Sequence, residues 1–392
     1  MRILTFSTLF PNREMPHHGI FVAERLRHVL ETGAVDAAVL APIPWFPLTG
    51  EGFGQYGAFA RVSPEESFEG CVVDHPRYPL IPKLGMSSAP LFLALASLLA
   101  IRRRFGDLED FDLIDAHYFY PDGVAAVLLG HWLNKPVVIT GRGTDLNLIP
   151  QYRIPLKWIR WASERANRMV TVSDALAHRL VELGAPADRV RTLRNGVDLE
   201  RFRPLERDSL RRRLGFSGRT LLSVGLLIER KGHHHVIESL RALKDCNLVI
   251  VGTGPEEGEL RRLSEQREVS DRVTFTGGLD HQTLAEYYNA ADCLVLCSSR
   301  EGMPNVVLES LACGTPVAGT AVWGTPEVLN APEAGVLIHE QSAAGVVKAV
   351  RRLLSAYPDR ADTRRHAEKF NWDATTAGQL DVFSQAIAEG RR

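Results

Sequence analysis

Apolar residues along this chain fall into short continuous runs, separated by stretches in which they recur every three or four positions. Pro136-Val137-Val138-Ile139-Thr140 is one such run, with no charged residue breaking it. A strand with one wet face alternates apolar and polar residues, so unbroken runs mark strands covered on both faces, as in a parallel sheet flanked by helices. On that reading the first half carries strands near 1–8, 36–42, 70–75, 112–118, 136–141, 168–173 and 190–194. The pattern then restarts, with strands expected over 220–227, 247–251, 272–276, 292–297, 315–318 and 335–338. Two successive strand-helix arrays predict an α/β chain of two doubly wound domains. Asn195-Gly196-Val197-Asp198, Pro204 and the stretch to about Gly218 mark the junction, because Asn-Gly and Pro favour turns. Ligands of such sheets gather at the carboxyl ends of the strands.

One apolar stretch breaks the pattern: residues 89–101, followed by Arg102-Arg103-Arg104. It is too short to span a bilayer and predicts a buried core helix. The alternative is a helix lying in the membrane interface, its basic end on anionic lipid.

Composition narrows the function classes. With 392 residues, 45% of them hydrophobic, and a net charge of -1, the chain can fill two cores and lacks the basic footprint of a nucleic-acid binder. Its five cysteines, Cys71, Cys246, Cys293, Cys297 and Cys313, have no paired spacing, and no signal-peptide pattern opens the sequence. A reducing cytoplasm is the expected compartment. Cys293 and Cys297 sit at strand spacing, which fits buried thiols better than a metal site.

The richest chemistry lies in Glu301-Gly302-Met303-Pro304-Asn305-Val306-Val307-Leu308-Glu309. Pro304 suits the first turn of a helix, which puts Glu301 in the loop before it and Glu309 one or two turns in. Between the two acids lies the helix start, Met303, Pro304, Asn305 and Val306, expected to bind the donor; its free N–H groups, which Pro304 lacks, offer positive potential for a phosphate. Sugar hydroxyls at Glu301, a diphosphate at the amides and ribose hydroxyls at Glu309 would suit this arrangement; a capped surface helix with two unrelated acids is the bland alternative. Gly225, Arg230 and Lys231 follow a strand in Ser223-Val224-Gly225-Leu226-Leu227-Ile228-Glu229-Arg230-Lys231-Gly232, where Lys231 could neutralise a departing diphosphate. Gly19, in Pro16-His17-His18-Gly19-Ile20-Phe21-Val22, precedes a helix and could let backbone approach a phosphate. Gly252-Thr253-Gly254-Pro255 is a further glycine loop, without the third glycine of a dinucleotide fingerprint.

Lys231-Gly232, Gly252-Thr253-Gly254-Pro255, Val273-Thr274-Phe275-Thr276-Gly277 and the 301–309 segment, in this order, resemble the family 4 glycosyltransferases of the two-Rossmann GT-B type. Asp112-Leu113-Ile114-Asp115-Ala116-His117, Pro121-Asp122-Gly123, Thr144-Asp145, Val172-Ser173 and Asn195-Gly196-Val197-Asp198 are similar to that family's N-terminal landmarks. Gly19-Ile20-Phe21-Val22 resembles a subgroup acting in teichuronic-acid and exopolysaccharide synthesis. The resemblance implies two Rossmann-like domains facing across a cleft. Residues 1–198 would bind acceptor, residues 199–369 would bind donor, and a terminal helix over about 370–392 would pack back on the first domain. It implies transfer of a sugar from a nucleotide-sugar, which is a substrate and not a cofactor, to a glycan or lipid-linked glycan, with retention and without a metal. His117, Lys231 and Glu301 would be catalytic, Thr144 and Asp145 would meet the acceptor, and the protein would work in the cytoplasm or on the inner face of the membrane. Leu226 departs from the family's arginine at that position, which leaves open whether Arg230 compensates.

Two signals are set aside. Asp110-Phe111-Asp112 has a metal-binding Asp-x-Asp spacing but leads into an ordinary strand, and His233-His234-His235 on a helix would point 100° apart from one another. The rival functions are a nucleotide-sugar 2-epimerase of the same fold and a catalytically weak sugar-nucleotide-binding protein.

Overall fold

A computed structural model describes residues 1–80, 85–105 and 111–390. The chain divides into two compact units, Met1–Leu193 with Ala374–Arg392, and Arg194–Asp373. Residues 194–198, expected with the first domain, therefore belong to the second.

The first unit is built on β1 (Arg2–Phe6), β2 (Asp36–Leu40), β3 (Ile43–Pro44), β4 (Glu65–Phe68), β5 (Cys71–Asp74), β6 (Arg77–Tyr78), β7 (Leu113–His117), β8 (Val137–Gly141), β9 (Arg168–Thr171) and β10 (Val190–Thr192). Eight of these form a sheet in the order β10-β9-β8-β7-β1-β2-β5-β4, parallel except for the β4–β5 pair. β3 and β6 make a separate parallel pair. The strands β3, β4 and β6 were not expected: β3 and β6 have two residues each, and β4, Glu65-Glu66-Ser67-Phe68, holds a single apolar residue. β8 is buried at every position, as its unbroken apolar run required, and β7 is buried at every position although Asp115 and His117 interrupt its apolar residues.

The final helix, Trp372–Gly390, buries Val382, Phe383 and Ala386 in one core cluster with Val22 and Leu26 of the first unit. Gln379 accepts a hydrogen bond from Arg25, and Arg168 and Arg191 pair with Glu389 and Asp381. The apolar stretch at 89–101 lies within a longer helix, Gly85–Phe105, of 21 residues. It is not a helix buried all round. Leu93, Ser97 and Ile101 are fully buried along one stripe, whereas Leu91, Leu95 and Leu99 are exposed along another. By length and composition alone this helix could cross a membrane.

The second unit has six parallel strands, β11 (Arg219–Val224), β12 (Cys246–Val251), β13 (Val273–Gly277), β14 (Cys293–Leu296), β15 (Val317–Thr320) and β16 (Gly335–Ile338). Their order is β13-β12-β11-β14-β15-β16. Leu221, Leu248, Ile250 and Val295 from the sheet meet Val236, Ile237, Val346 and Val350 from the helices in one buried cluster. All five cysteines are buried and free; burial pushes the Cys297 thiol up to about 12, so it stays protonated.

Candidate functional site

In the second unit the strand order reverses between β11 and β14, which opens a crevice at their carboxyl ends. The loop after β11 carries Gly225 to Lys231, and the loop after β14 carries Glu301. These two loops meet. Lys231 Nζ stands 2.7 Å from Glu301 Oε1, both side chains being largely but not wholly covered. Glycines bring the backbones that close: a Cβ on Gly252 would lie 1.9 Å from the Gly225 carbonyl oxygen, and one on Gly232 would lie 2.1 Å from that of Cys297. The Lys231 chain in turn lies across Gly225, its Cδ and Cε 3.4 Å from where a Cβ would stand.

His233 braces the same loop. A carbonyl can only accept, so the contact of Nε2 with the Leu226 oxygen at 3.3 Å puts the proton on Nε2, and Nδ1 accepts from Ser223 Oγ at 2.9 Å. Burial pulls its pKa down to about 4, so the ring is neutral. His234 and His235 lean on each other at 4.0 Å, and among the described residues no group of three His, Cys, Asp or Glu could hold a metal. Asp112 of the Asp-x-Asp triplet accepts from the Arg2 backbone N–H at 2.9 Å, while Asp110 lies outside the described residues.

The helix after Glu301 is Asn305–Ala312, with Pro304 just before it and not in its first turn. No side chain caps its start, which leaves the amides of Asn305 and Val306 to other partners. Glu309 is the fifth helical residue, and its Oε2 accepts from the Tyr288 hydroxyl at 2.8 Å. Tyr288 is fully buried. Met303 is buried, with its Sδ 3.3 Å from the Asn195 backbone nitrogen, and Asn305 Oδ1 accepts from Asn195 Nδ2 at 2.9 Å. Asn195 thus fastens the turn that holds Glu301. Arg230 donates to the Arg300 carbonyl at 3.2 Å, and Leu226 is 57% exposed. Neither Tyr288 nor Asn195 could be found from spacing, since their partners are 21 and 110 residues away.

The corresponding residues of the first unit are placed differently. His117, at the end of β7, is 1% exposed. Arg142 Nη2 can only donate, so Nδ1 accepts at 2.8 Å and Nε2 donates to Asp115 Oδ2 at 3.0 Å. Burial lowers the pKa of His117, and both ring nitrogens are committed inside the unit. Asp145 is fully buried and accepts the backbone N–H groups of Phe119, Arg142 and Gly143. Its carboxylate organises its own loop, and an open acceptor contact at that atom is not what the structure shows; Thr144, one residue before, is partly exposed. Asp122 accepts from Ser7 Oγ and from the backbone and hydroxyl of Thr8, and burial pushes its pKa up to about 7. Gly19 has φ +67°, and a Cβ there would strike the Leu9 carbonyl at 2.3 Å, so packing of the chain on itself accounts for the glycine.

Two family models match the chain: Glycosyl transferases group 1 over residues 206–370 and Glycosyltransferase Family 4 over residues 56–201. Among curated proteins, TuaC of Bacillus subtilis, assigned as a teichuronic acid biosynthesis glycosyltransferase, is 30% identical over 361 residues, covering 90% of this chain and 89% of that one. The D-inositol 3-phosphate glycosyltransferase of Acidothermus cellulolyticus is 36% identical over 310 residues, 72% of this chain and 68% of that one. Sucrose-phosphate synthase from Thermosynechococcus elongatus has the same fold, with a TM-score of 0.78 at 22% identity over 99% of both chains. HepE from Anabaena, solved with UDP, gives 0.73 at 16% identity over 98% of this chain and 100% of that one. The two Rossmann-like sheets and the crevice residues define a GT-B glycosyltransferase. The chain belongs to glycosyltransferase family 4, the retaining family that its motifs resemble.

Proposed function

We propose that the second unit holds a nucleoside diphosphate sugar, and that the sugar passes to a hydroxyl of a lipid-linked bacterial surface glycan without help from a metal or other cofactor. The observation that carries this reading is the Lys231–Glu301 pair at the strand reversal, beside an uncapped helix start. The ammonium and the helix amides supply the positive charge that a leaving diphosphate requires. In the free protein Lys231 and Glu301 satisfy each other. Donor binding replaces that contact: the diphosphate takes Lys231, and the released carboxylate accepts from sugar hydroxyls. Glu309, held by Tyr288, meets the ribose. The bond from the anomeric carbon to the phosphate oxygen breaks, the acceptor oxygen bonds to that carbon on the same face, and the departing phosphate oxygen takes the acceptor's proton.

The surface-glycan assignment is supported by the likeness to TuaC, and the diphosphate donor by HepE, which was also solved with UDP-glucose. Contact with the inner face of the membrane is supported by Leu91, Leu95 and Leu99, exposed at four-residue intervals ahead of exposed Arg102 and Arg103. Incubation with labelled nucleotide-sugars, with and without lipid or glycan acceptors, tests the reading. Acceptor-dependent release of nucleoside diphosphate with retained anomeric configuration is expected; epimerisation in water alone, or binding without turnover, would favour the rival functions.

A further inference from the structure

Leu226 brings no charged side chain to the crevice of the second unit, and Arg230 is engaged elsewhere. The Arg230 guanidinium donates to the Arg300 carbonyl at 3.2 Å, and its own carbonyl accepts from the Ser299 N–H at 2.9 Å. Arg230 thus clasps the loop after β11 to the loop after β14.

What position 226 does offer is main chain. The β11–β12 ladder runs on past Val224: the N–H groups of Gly225 and Leu227 donate to the carbonyls of Val251 and Thr253, each at 2.9 Å. Successive N–H groups of an extended chain point to opposite sides, so that of Leu226, between those two, points away from β12. The other side of β11 is β14. Thr220, six residues earlier and on that same side, shows it: its carbonyl accepts from the Asp292 N–H at 2.9 Å. The Leu226 N–H therefore faces the crevice between β11 and β14. Among the described residues it has no hydrogen-bond partner, and Leu226 is well exposed. The Lys231 stem runs across Gly225, so the ammonium and this N–H flank the same glycine.

His233 holds the far end of the same residue. Its Nε2 donates to the Leu226 carbonyl at 3.3 Å while Nδ1 accepts from Ser223 Oγ at 2.9 Å, so the ring ties the turn to the end of β11. The Ile228 N–H reaches that carbonyl too, at 2.9 Å. With two donors on the Leu226 carbonyl and both neighbours bonded to the β12 side, the residue has little freedom to turn its N–H elsewhere.

We propose that the Leu226 backbone N–H donates to a diphosphate oxygen beside Lys231, and that His233 is the positioning residue that aims it. A main-chain donor fixed in advance loses no side-chain freedom when the ligand arrives, which lets an uncharged residue serve at this place. The inference rests on the proposed donor site. No spacing reveals it, because His233 reads in sequence only as one of three adjacent histidines.

Full-length protein titrated with UDP, ADP and GDP tests the proposal, the tightest of the three serving as the probe. Three altered proteins are compared: an ester replacing the Gly225–Leu226 amide, which removes only that N–H; His233→Phe, which removes the donor to the Leu226 carbonyl; and His233→Gln, which keeps an N–H there. The ester and His233→Phe should each weaken diphosphate binding about tenfold and leave affinity for the matching nucleoside unchanged, because the nucleoside has no phosphate to lose. His233→Gln should recover most of that loss. Hydrogen exchange at Leu226 should be fast in the free protein and slowed by the diphosphate but not by the nucleoside. Undiminished binding by the ester protein, or equal losses for diphosphate and nucleoside, overturns the N–H contact. Undiminished binding by His233→Phe overturns the positioning role. If the wild type binds none of the three nucleotides, the donor reading itself falls, a result distinct from binding that ignores Leu226.

Discussion

Both units place charged side chains at the carboxyl ends of a reversing parallel sheet, yet the two sets do opposite things. In the second unit Lys231 and Glu301 pair across two loops and keep some exposure, and Glu309 is partly exposed on its helix. In the first unit Arg25, Asp115, His117, Arg142 and Asp145 are buried, and they spend their hydrogen bonds on one another, on Gln379 or on backbone. A shared reversal of strand order therefore does not imply identical use. A charge that a ligand can reach is part of a site, whereas a charge enclosed by its own partners is a fastener, and removing each should fail in a different way.

The largest effect is expected at Arg142. Arg142→Ala strips the donor from His117 Nδ1 and leaves Asp115 and Asp145 with less compensating charge, a change that costs about 3–5 kcal/mol when a buried pair loses one partner. Thermal unfolding of the first unit should shift accordingly. Little change in stability would return His117 to the class of reachable site residues.

Lys231→Ala should do the reverse. Turnover is expected to fall by about two to three orders of magnitude while unfolding changes little, because the ammonium acts on charge that develops as the bond breaks. A large loss of stability with normal kcat in the surviving protein would erase the contrast between the units.

Tyr288→Phe sharpens the picture within the donor site. The hydroxyl that orients Glu309 disappears while the buried ring stays, so nucleoside diphosphate affinity should drop about three- to tenfold. The matching 2′,3′-dideoxy nucleotide should bind equally well to both proteins. An equal loss for both nucleotides would mean that Tyr288 supports the fold and not the ribose contact.

How much of this was legible in the sequence follows from the same contrast. β8 and β12 were readable because strands covered on both faces leave unbroken apolar runs, whereas β3, β4 and β6 left no period to read. Lys231, Glu301 and Glu309 were recognisable because glycine loops and a helix start surround them in sequence. Tyr288 was not, and Asn195 was read only as part of a turn and a family landmark, since each reaches its partner only through the fold. The roles of His117 and Asp145 were read from motif likeness, and that both are buried and held by partners of their own unit is not written in a motif. Residues 89–101 were read as a core helix from their composition, but composition cannot show that the leucines four positions apart, Leu91, Leu95 and Leu99, face outward.

A pH dependence is expected at Asp122. Burial raises its carboxyl from 3.8 to about 7, so the folded chain keeps a proton that the unfolded chain gives up between those values. More protons bound in the native state means that stability falls as pH rises through this window and levels off above it. Asp122→Asn removes the titration. The melting temperature of the variant should therefore gain on the wild type from about pH 4 to about pH 7, then run parallel; a gain in the opposite direction would show the carboxylate to be favoured by its three hydrogen bonds from Ser7 and Thr8.

The most direct measurement is calorimetric titration of a bare nucleoside diphosphate into the wild type, Glu309→Ala and Glu301→Ala. Glu309 is placed to hold ribose, which the bare nucleotide still has, while Glu301 is placed to hold the sugar that it lacks and meanwhile occupies Lys231. The expected result is weaker binding by Glu309→Ala and equal or tighter binding by Glu301→Ala, whose Lys231 is released. Equal losses in the two variants, or a loss confined to Glu301→Ala, would contradict the division of the donor between them.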